Sequence, residues 1–405
     1  MLSLAASGYM KHMKRNLFIV LQISFLLLAL VVTVTILSEE YNRYRPVAAL
    51  NGEKGFAIDA YGYHGESAEQ IAQNMQKVKS VISWGYGGFN ISQDNRYCIA
   101  FAYPENLLSD YVPELQSGSW LDTSQTGEGG MDIVVSENPY GWKEGSQVEL
   151  NYYDENAQVH SVRAFVRGVL EEGTEIIGAG IGVSRKIHGD YRDLYSTYRY
   201  EQLEDILILM SEGQVKKQGI PMTYNQTHFV IYDEDITKAQ MAANERRLKE
   251  TLGAGTESTS ILHDLTEFMD NSNFEMQKKI FLYVPVLVCV LLVTVISLVN
   301  VCTLNLADDI PQNAVYCILG LPWRKNSLFS LIQSAITAVM SMVLACFFLL
   351  IIQRTALNAY IYARLDGLTV FSVLLILVIL CLFHYLSAVW IIRRNKPVEL
   401  LKNTL

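Results

Sequence analysis

Four long stretches of the chain carry no charge and consist mostly of apolar residues, namely 17–37, 280–302, 328–352 and 368–392. Each is at least as long as the roughly 20 residues that an α-helix needs to cross the hydrocarbon core of a bilayer. Lipid offers the backbone no hydrogen-bonding partner, so a stretch of this kind spans the bilayer as a helix. We interpret the four stretches as transmembrane helices rather than as buried core helices, because their length and lack of charge fit the hydropathy rule for spans.

The residues between the first and second spans show shorter patterns. Alternating apolar and polar positions predict strands over 55–61, 99–103, 132–135, 147–150, 162–170 and 227–232. A helical period predicts helices over 67–78, 200–210, 235–252 and 262–279. The mixture indicates a large α+β domain. The last of these helices meets no Gly or Pro before Pro285, so a stalk continuous with the second span and a short ordered linker both remain open.

The distribution of charge predicts the orientation. Residues 38–278 hold 20 Lys and Arg against 37 Asp and Glu, whereas residues 1–16 and 393–405 each carry a net charge of +3. Basic residues near span ends mark the cytoplasmic side, so we expect both termini in the cytoplasm and the α+β domain outside it. The first span is longer than the apolar part of a signal peptide and lacks a small-residue cleavage site, which predicts an uncleaved anchor.

The expected fold is therefore a membrane protein with four transmembrane α-helices (1 + 3) and a large α+β extracytoplasmic domain between the first and second spans. The predicted plan is a cytoplasmic N-terminal segment (1–16), a span (17–37), the extracytoplasmic domain with its stalk (38–279), a span (280–302), a cytoplasmic connection (303–327), a span (328–352), a short outer loop (353–367), a span (368–392) and a cytoplasmic tail (393–405).

No catalytic motif is recognisable in the chain. Phosphate-binding loops, nucleophile elbows and zinc-protease motifs are missing from the sequence, and the Cys and His spacings fit no zinc site. We therefore expect no cofactor, no metal and no catalysis by this chain. The net charge of −9 also argues against a nucleic-acid partner. His384 lies within the last predicted span, where a functional group and a neutral histidine bonded to a neighbouring helix are both possible readings.

The predicted cytoplasmic connection carries a candidate docking surface. Val315, Ile318 and Leu319 are spaced to form one apolar helical face. Tyr316, Trp323, Arg324 and Lys325 add aromatic and charged side chains of the kind that dominate protein interfaces. The alternative is an amphipathic helix lying on the lipid headgroups.

The one-plus-three plan resembles that of the MacB/FtsX-like permeases of ABC transporters, the type VII architecture. Six patches are similar to segments of that family, and they lie at 115–121, 133–135, 145–150, 166–170, 314–320 and 396–402. The chain departs from the family at Gln312, Ala314 and Gln333, where acidic residues or Gly are usual.

The resemblance implies a permease subunit in a bacterial plasma membrane. ATP would be hydrolysed by a separate ABC ATPase subunit, and the movement would be passed through the stalk to the outer domain for the export of peptides, lipoproteins or drugs, or for resistance to them. The ATPase would bind the connection at Val315, Tyr316, Ile318, Leu319, Gly320, Trp323, Arg324 and Lys325. A second permease chain, identical or related, is expected in the complex. The alternatives are a sensor whose outer domain binds a ligand, and an enzyme anchored on the outer side.

Overall fold

The computed structural model describes residues 9–61, 66–122, 130–178, 189–197, 206–224, 227–252, 259–318, 326–355 and 365–394. The chain divides into two compact units. The membrane unit comprises Met1–Glu40 and Gln277–Leu405, and the extramembrane unit comprises Tyr41–Met276.

In chain order the elements are α1 (Met13–Ala48), β1 (Gly55–Tyr61), α2 (Ala68–Gln73), β2 (Val78–Ser83), β3 (Gly85–Ile91), β4 (Tyr97–Tyr103), α3 (Glu105–Asp110), β5 (Leu115–Gly118), β6 (Met131–Val135), β7 (Gln147–Tyr153), β8 (Val159–Leu170), β9 (Glu175–Ile177), a 3₁₀-helix (Tyr191–Leu194), β10 (Tyr195–Thr197), β11 (Ile206–Ser211), α4 (Glu212–Gln218), β12 (Thr227–Tyr232), α5 (Lys238–Leu252), β13 (Thr259–Asp264), α6 (Leu265–Ile318), α7 (Asn326–Arg354) and α8 (Gly367–Arg394).

The first layer of the extramembrane unit is a four-stranded antiparallel sheet in the order β13-β1-β12-β2. With α2 after β1 and α5 after β12, the elements follow the β-α-β-β-α-β order of ferredoxin-like folds. Phe56 and Val230 pack on one face of the sheet against Ile71 of α2 and Leu248 of α5. We call this part the ferredoxin-like layer. All elements from β3 to α4 are inserted between its strands β2 and β12.

The insertion forms a small closed barrel. Its strands follow the order β5-β8-β6-β11-β4-β3-β7, and β7 also pairs with β8, which closes the ring. Closure is possible because β8 is 12 residues long, so that its first half pairs with β7 and its second half with β6 and β5. Alternate side chains such as Phe89, Ala100, Ile133 and Ile208 fill the interior.

A second apolar cluster, the junction core, lies outside the barrel. It contains barrel residues that alternate with the interior ones, together with residues of the ferredoxin-like layer, the end of α1 and the start of α6. Examples are Phe101, Leu209, Phe229, Val47 and Phe268. The junction core thus joins every part of the extramembrane unit.

One predicted element of this unit is wrong in type, and another is wrong in its first residues. The helix predicted over 200–210 is strand β11 in its described part, and all six residues of this strand are buried between β6 and β4. A strand that is buried on both faces has a continuous run of apolar residues. The spacing of apolar residues alone does not distinguish such a strand from a buried helix. The helix predicted from residue 262 begins only at Leu265, after strand β13.

The membrane unit has four helices that are long and apolar enough to cross a membrane, judged by length and composition among the described residues. The four predicted spans lie inside α1, α6, α7 and α8. Helix α1 packs against the other three through Ile23 and Leu27. Polar contacts accompany this packing, since Gln22 Nε2 donates to Ser297 Oγ (3.0 Å) and Ser24 Oγ donates to the Ser341 carbonyl (3.0 Å).

Helix α6 is unbroken over its 54 residues. It begins directly after β13 in the extramembrane unit and continues through the second predicted span into the predicted connection. Of the two alternatives for the stalk, the continuous helix is therefore the observed one.

Candidate functional site

The predicted docking residues lie at and beyond the end of α6. The backbone of Val315, Tyr316 and Ile318 is helical and belongs to the last turns of α6. Leu319, Gly320, Trp323, Arg324 and Lys325 lie outside the residues that the structure describes.

A polar cluster precedes this segment by two turns of α6. Arg15 forms an ion pair with Asp308, and His12 Nδ1 lies 4.0 Å from Asp308 Oδ2. Asn305 Nδ2 donates a hydrogen bond of 2.9 Å to Asn16 Oδ1. The Arg15 hydrogen bond lowers the pKa of Asp308, which keeps the carboxylate charged. The N-terminal segment and the approach to the connection are thus linked by side chains, and the spacings 12/15/16 and 305/308 are the only sequence signal of this link.

A second polar site binds the extramembrane ends of α1 and α6. We call its central element the collar and define it as the described residues 175–178 and 189–197, which comprise β9, the 3₁₀-helix and β10. Sequence reasoning did not single out any collar residue.

The collar is bound to α6 by three side chains from one turn of that helix. Ser272 Oγ accepts a hydrogen bond of 3.0 Å from the Tyr191 backbone N–H. Asn271 Nδ2 donates to the Gly189 carbonyl at 3.2 Å. Glu275 Oε2 lies 3.4 Å from Arg192 Nη1.

The collar is also bound to the end of α1. Tyr195 donates its hydroxyl to the Arg43 carbonyl at 2.9 Å, and the Arg43 guanidinium forms a 2.8 Å ion pair with Glu175. The two helices contact each other beside it, because the Tyr44 hydroxyl donates to Asn273 Oδ1 at 2.6 Å. One short segment therefore contacts both helices.

The barrel and the loop after α3 also bind the collar. The hydroxyls of Tyr103 and Tyr111 donate to the carbonyls of Ile177 (2.5 Å) and Glu175 (2.8 Å). Burial raises the pKa of both tyrosines well above the usual value, so both remain protonated donors at any physiological pH.

The collar is held in shape by its own charges. The Asp190 carboxylate is 2% exposed and receives the Arg192 guanidinium through two contacts, of 2.9 and 2.6 Å. This fork-shaped pairing fixes the direction of the arginine. Gly189, with φ of +67°, supplies the left-handed backbone that begins the turn.

Other candidate groups lie apart from these two sites. Among the described residues, no group of three or more His, Cys, Asp or Glu side chains is placed to hold a metal ion. His384 Nδ1 is buried without a hydrogen-bond partner in the described part of the chain, and Cys302 Sγ contacts the His384 carbonyl at 3.9 Å. The histidine ring therefore does not form the interhelical hydrogen bond through Nδ1 that one reading expected.

Residues 285–397 match the family described as FtsX-like permease C-terminal. This segment of the chain is an FtsX-like permease domain. The domain includes most of the second span, the connection and the last two spans. With one further span and an α+β unit ahead of it, the chain has the plan of a MacB/FtsX-like ABC transporter permease.

The permease is also similar to two solved structures. One is the extracellular domain of the noncanonic ABC-type transporter YknZ from Gram-positive bacteria, with 11% identity, a TM-score of 0.26, and coverage of 51% of this chain and 98% of that one. The other is the periplasmic region of MacB from Actinobacillus actinomycetemcomitans, with 11% identity, a TM-score of 0.26, and coverage of 54% and 92%. No curated protein matches the chain.

Proposed function

We propose that this permease converts ATP hydrolysis by a separate ABC ATPase subunit into movement of its extramembrane unit. The observation that carries the proposal is the permease domain at 285–397, combined with α6, which joins that domain to the extramembrane unit as one helix. A continuous helix carries axial or tilting displacement over its length, whereas a flexible linker would absorb it.

The proposed contact with the ATPase is the connection. Val315, Ile318 and Leu319 supply an apolar face, and Trp323 with Arg324 supplies anchoring side chains. Closure of an ATPase dimer would displace this segment, and α6 would move with it. Gly320, Tyr316 and Lys325 belong to the same proposed contact.

The remaining assignments are parts of the same proposal. Both termini and the connection lie in the cytoplasm of a bacterial cell, and the extramembrane unit lies on the outer side. The functional complex contains a second permease chain, identical or related. Its cargo is a peptide, a lipoprotein or a drug that is moved or extracted at the outer side. ATP is hydrolysed by the partner subunit, so the chain itself performs no catalysis.

The test uses Leu319→Asp and Trp323→Asp in the full chain, expressed together with a candidate ABC ATPase subunit. A central interface residue contributes about 2 kcal/mol or more, so we expect each change to weaken ATPase binding at least about thirtyfold. Val159→Asp is the matched control, because Val159 is 57% exposed at the tip of the β7–β8 hairpin. Co-purification in mild detergent and membrane insertion are measured together.

Three outcomes count against the proposal. In the first, no ATPase subunit co-purifies with the unaltered chain. In the second, both Asp variants retain full complex formation. In the third, the extramembrane unit responds to a ligand while ATP changes no distance within the complex, which favours the sensor.

A further inference from the structure

We propose that the collar is the element through which displacement of α1 and α6 reaches the barrel, and that Ser272, Arg192 and Glu275 are its positioning residues. This inference rests on the proposed function, because it concerns the movement that the ATPase would produce.

The first argument is connectivity. The collar is hydrogen-bonded to α6 through Ser272 and Asn271, to α1 through the Arg43 carbonyl, and to the barrel through Tyr103 and Tyr111. All of these contacts are made by one short segment. A displacement of either helix therefore moves the collar, and the collar moves the barrel.

The second argument is the kind of contact. The ferredoxin-like layer meets α6 mainly through apolar packing, for example between Phe229 and Phe268, whose ring centroids are 5.8 Å apart. Apolar contacts are non-directional and tolerate sliding. Hydrogen bonds lose most of their strength when their geometry changes. The directed contacts of the collar are therefore better suited to carry displacement than the apolar contacts beside them.

The third argument is burial at the point of attachment. Ser272 and Tyr191 are fully buried, and the Ser272 hydroxyl is used twice, as acceptor from Tyr191 N and as donor to the Phe268 carbonyl (2.7 Å). Water has no access to replace either bond. Slippage of α6 past the collar would leave a buried N–H without a partner, which is costly.

Arg192 sets the position of the collar along α6. Its guanidinium is held by the buried Asp190 through a bidentate pair, and its remaining nitrogen reaches Glu275 one turn beyond Asn271. Two negatively charged partners on either side fix the arginine in one orientation. The ion pair with Glu275 thus defines one register between helix and collar.

The experiment uses the full chain with its ATPase subunit in lipid nanodiscs, with native cysteines replaced and spin labels introduced in pairs. One pair, at positions 144 and 365, joins the barrel to the membrane unit. The other pair, at positions 144 and 270, joins the barrel to α6 within the extramembrane unit. Glu144, Leu365 and Asp270 are all exposed, so labels at these positions leave the core intact.

With the wild-type collar we expect trapped ATP to shift the 144–365 distance and to leave the 144–270 distance unchanged. Glu275→Gln and Ser272→Ala should reduce the first shift by about half or more and produce a shift in the second distance, since long-range coupling is modulated by positioning residues. ATPase co-purification should remain at the wild-type level. Glu245→Gln, which removes an exposed ion pair with Lys249, is the matched control and should behave as wild type.

A rescue separates coupling from folding. In Arg192→Cys/Glu275→Cys the ion pair is lost, and a short bis-maleimide cross-linker reconnects the two positions. We expect the 144–365 shift to be small before cross-linking and restored after it, in the same preparation. Failure of the cross-link to restore the shift would overturn the inference.

Different results would contradict the role of the collar and the proposed function. If both variants shift the 144–365 distance as the wild type does, the collar does not carry the movement and only the inference falls. If trapped ATP shifts no distance in the wild-type complex, the proposed function falls and the inference with it.

Discussion

We expect His228 to make the extramembrane unit sensitive to mild acid. This residue lies in β12 between Ile58 of β1 and Ser83 of β2, and its side chain is 0% exposed. Neither ring nitrogen has a hydrogen-bond partner in the part of the chain that the structure describes. Burial lowers the pKa of the imidazole from 6.5 to about 4, because a charged ring would be stripped of water.

The sign of the effect follows from these two values. Between pH 6.5 and about 4 the unfolded chain binds a proton at His228 and the folded chain does not. The stabilising contribution of the neutral ring is therefore complete above pH 6.5 and is lost as the pH falls toward 4. At 1.36 kcal/mol per pKa unit the full loss is about 3 kcal/mol. A domain is typically stable by about 5–15 kcal/mol, so this loss is a large share.

The perturbation that tests this reasoning is His228→Phe, which keeps an apolar ring at the site. Urea unfolding of the extramembrane unit is followed by tryptophan fluorescence in the full chain, with Trp323 and Trp390 of the membrane part replaced by Phe. We expect the wild type to lose about 3 kcal/mol more than the variant between pH 7 and pH 4. His160→Phe is the control, since His160 is largely exposed and the variant retains His228.

The carboxyl groups of Asp235 and Asp154 titrate below this window. The pKa of Asp235 is lowered by its hydrogen bond with Lys77, and that of Asp154 by its backbone hydrogen bond with Gln158. A carboxyl group whose pKa is lower in the folded chain than in the unfolded chain stabilises the fold above pH 3.8, the pKa in the unfolded chain. This stabilisation is lost only as the pH falls below that value. Parallel stability curves for wild type and His228→Phe between pH 4 and 6.5 would refute the reasoning.

Two further replacements in the barrel test its charge pair and the close approach of β5 to β8, each by urea unfolding of the same unit. Arg167→Ala should cost about 3 kcal/mol, because Asp132 is 3% exposed, its Oδ1 lies 2.9 Å from Arg167 Nε and its Oδ2 accepts a hydrogen bond of 3.3 Å from Arg167 Nη2. Lys77→Ala breaks an exposed ion pair and should cost much less. A cost for Arg167→Ala that is no larger than that of Lys77→Ala would contradict the first expectation. Gly118→Ala should cost at least about 2 kcal/mol, because φ is +84° and a Cβ would collide with the Arg167 carbonyl, whereas Gly173→Ala has a similar φ and open space and should cost about 1 kcal/mol. Equal costs at the two glycines would show that the collision is relieved.

Local patterns predicted the individual elements well. The strands expected over 55–61 and 227–232 have those bounds in the structure, and Thr237 directly before α5 accepts a capping hydrogen bond of 3.3 Å from Gln240 N. These features depend on neighbours a few residues apart, which periodicity and capping rules describe. The pairing of strands depends on residues far apart in the chain. The insertion of a barrel into a ferredoxin-like layer therefore left no local signal.

The first four patches that resemble the family acquire a common explanation in the barrel. They lie on or beside β5, β6, β7 and β8, and β8 is the strand that pairs with all of the other three. Gly118 gives the backbone room where β5 approaches β8, and Arg167 of β8 neutralises Asp132 of β6. The segments that resemble the family therefore lie where β8 pairs with its neighbours and closes the barrel. At these positions the close approach of two backbones and a buried charge restrict which residues fit.

Sequence patterns did not predict the collar because its contacts join residues that are far apart in the chain. Its contacts to the helices and the barrel join residues 64 or more positions apart, such as Tyr111 with Glu175 and Tyr191 with Ser272. On the predicted stalk helix the polar run Asn271-Ser272-Asn273 resembles an ordinary solvated stretch. However, Ser and Asn are weak helix formers whose side chains compete for backbone hydrogen bonds. Three of them in a row before a long span indicate tertiary partners, and Ser272, buried on the collar, is the residue at which the helix is held.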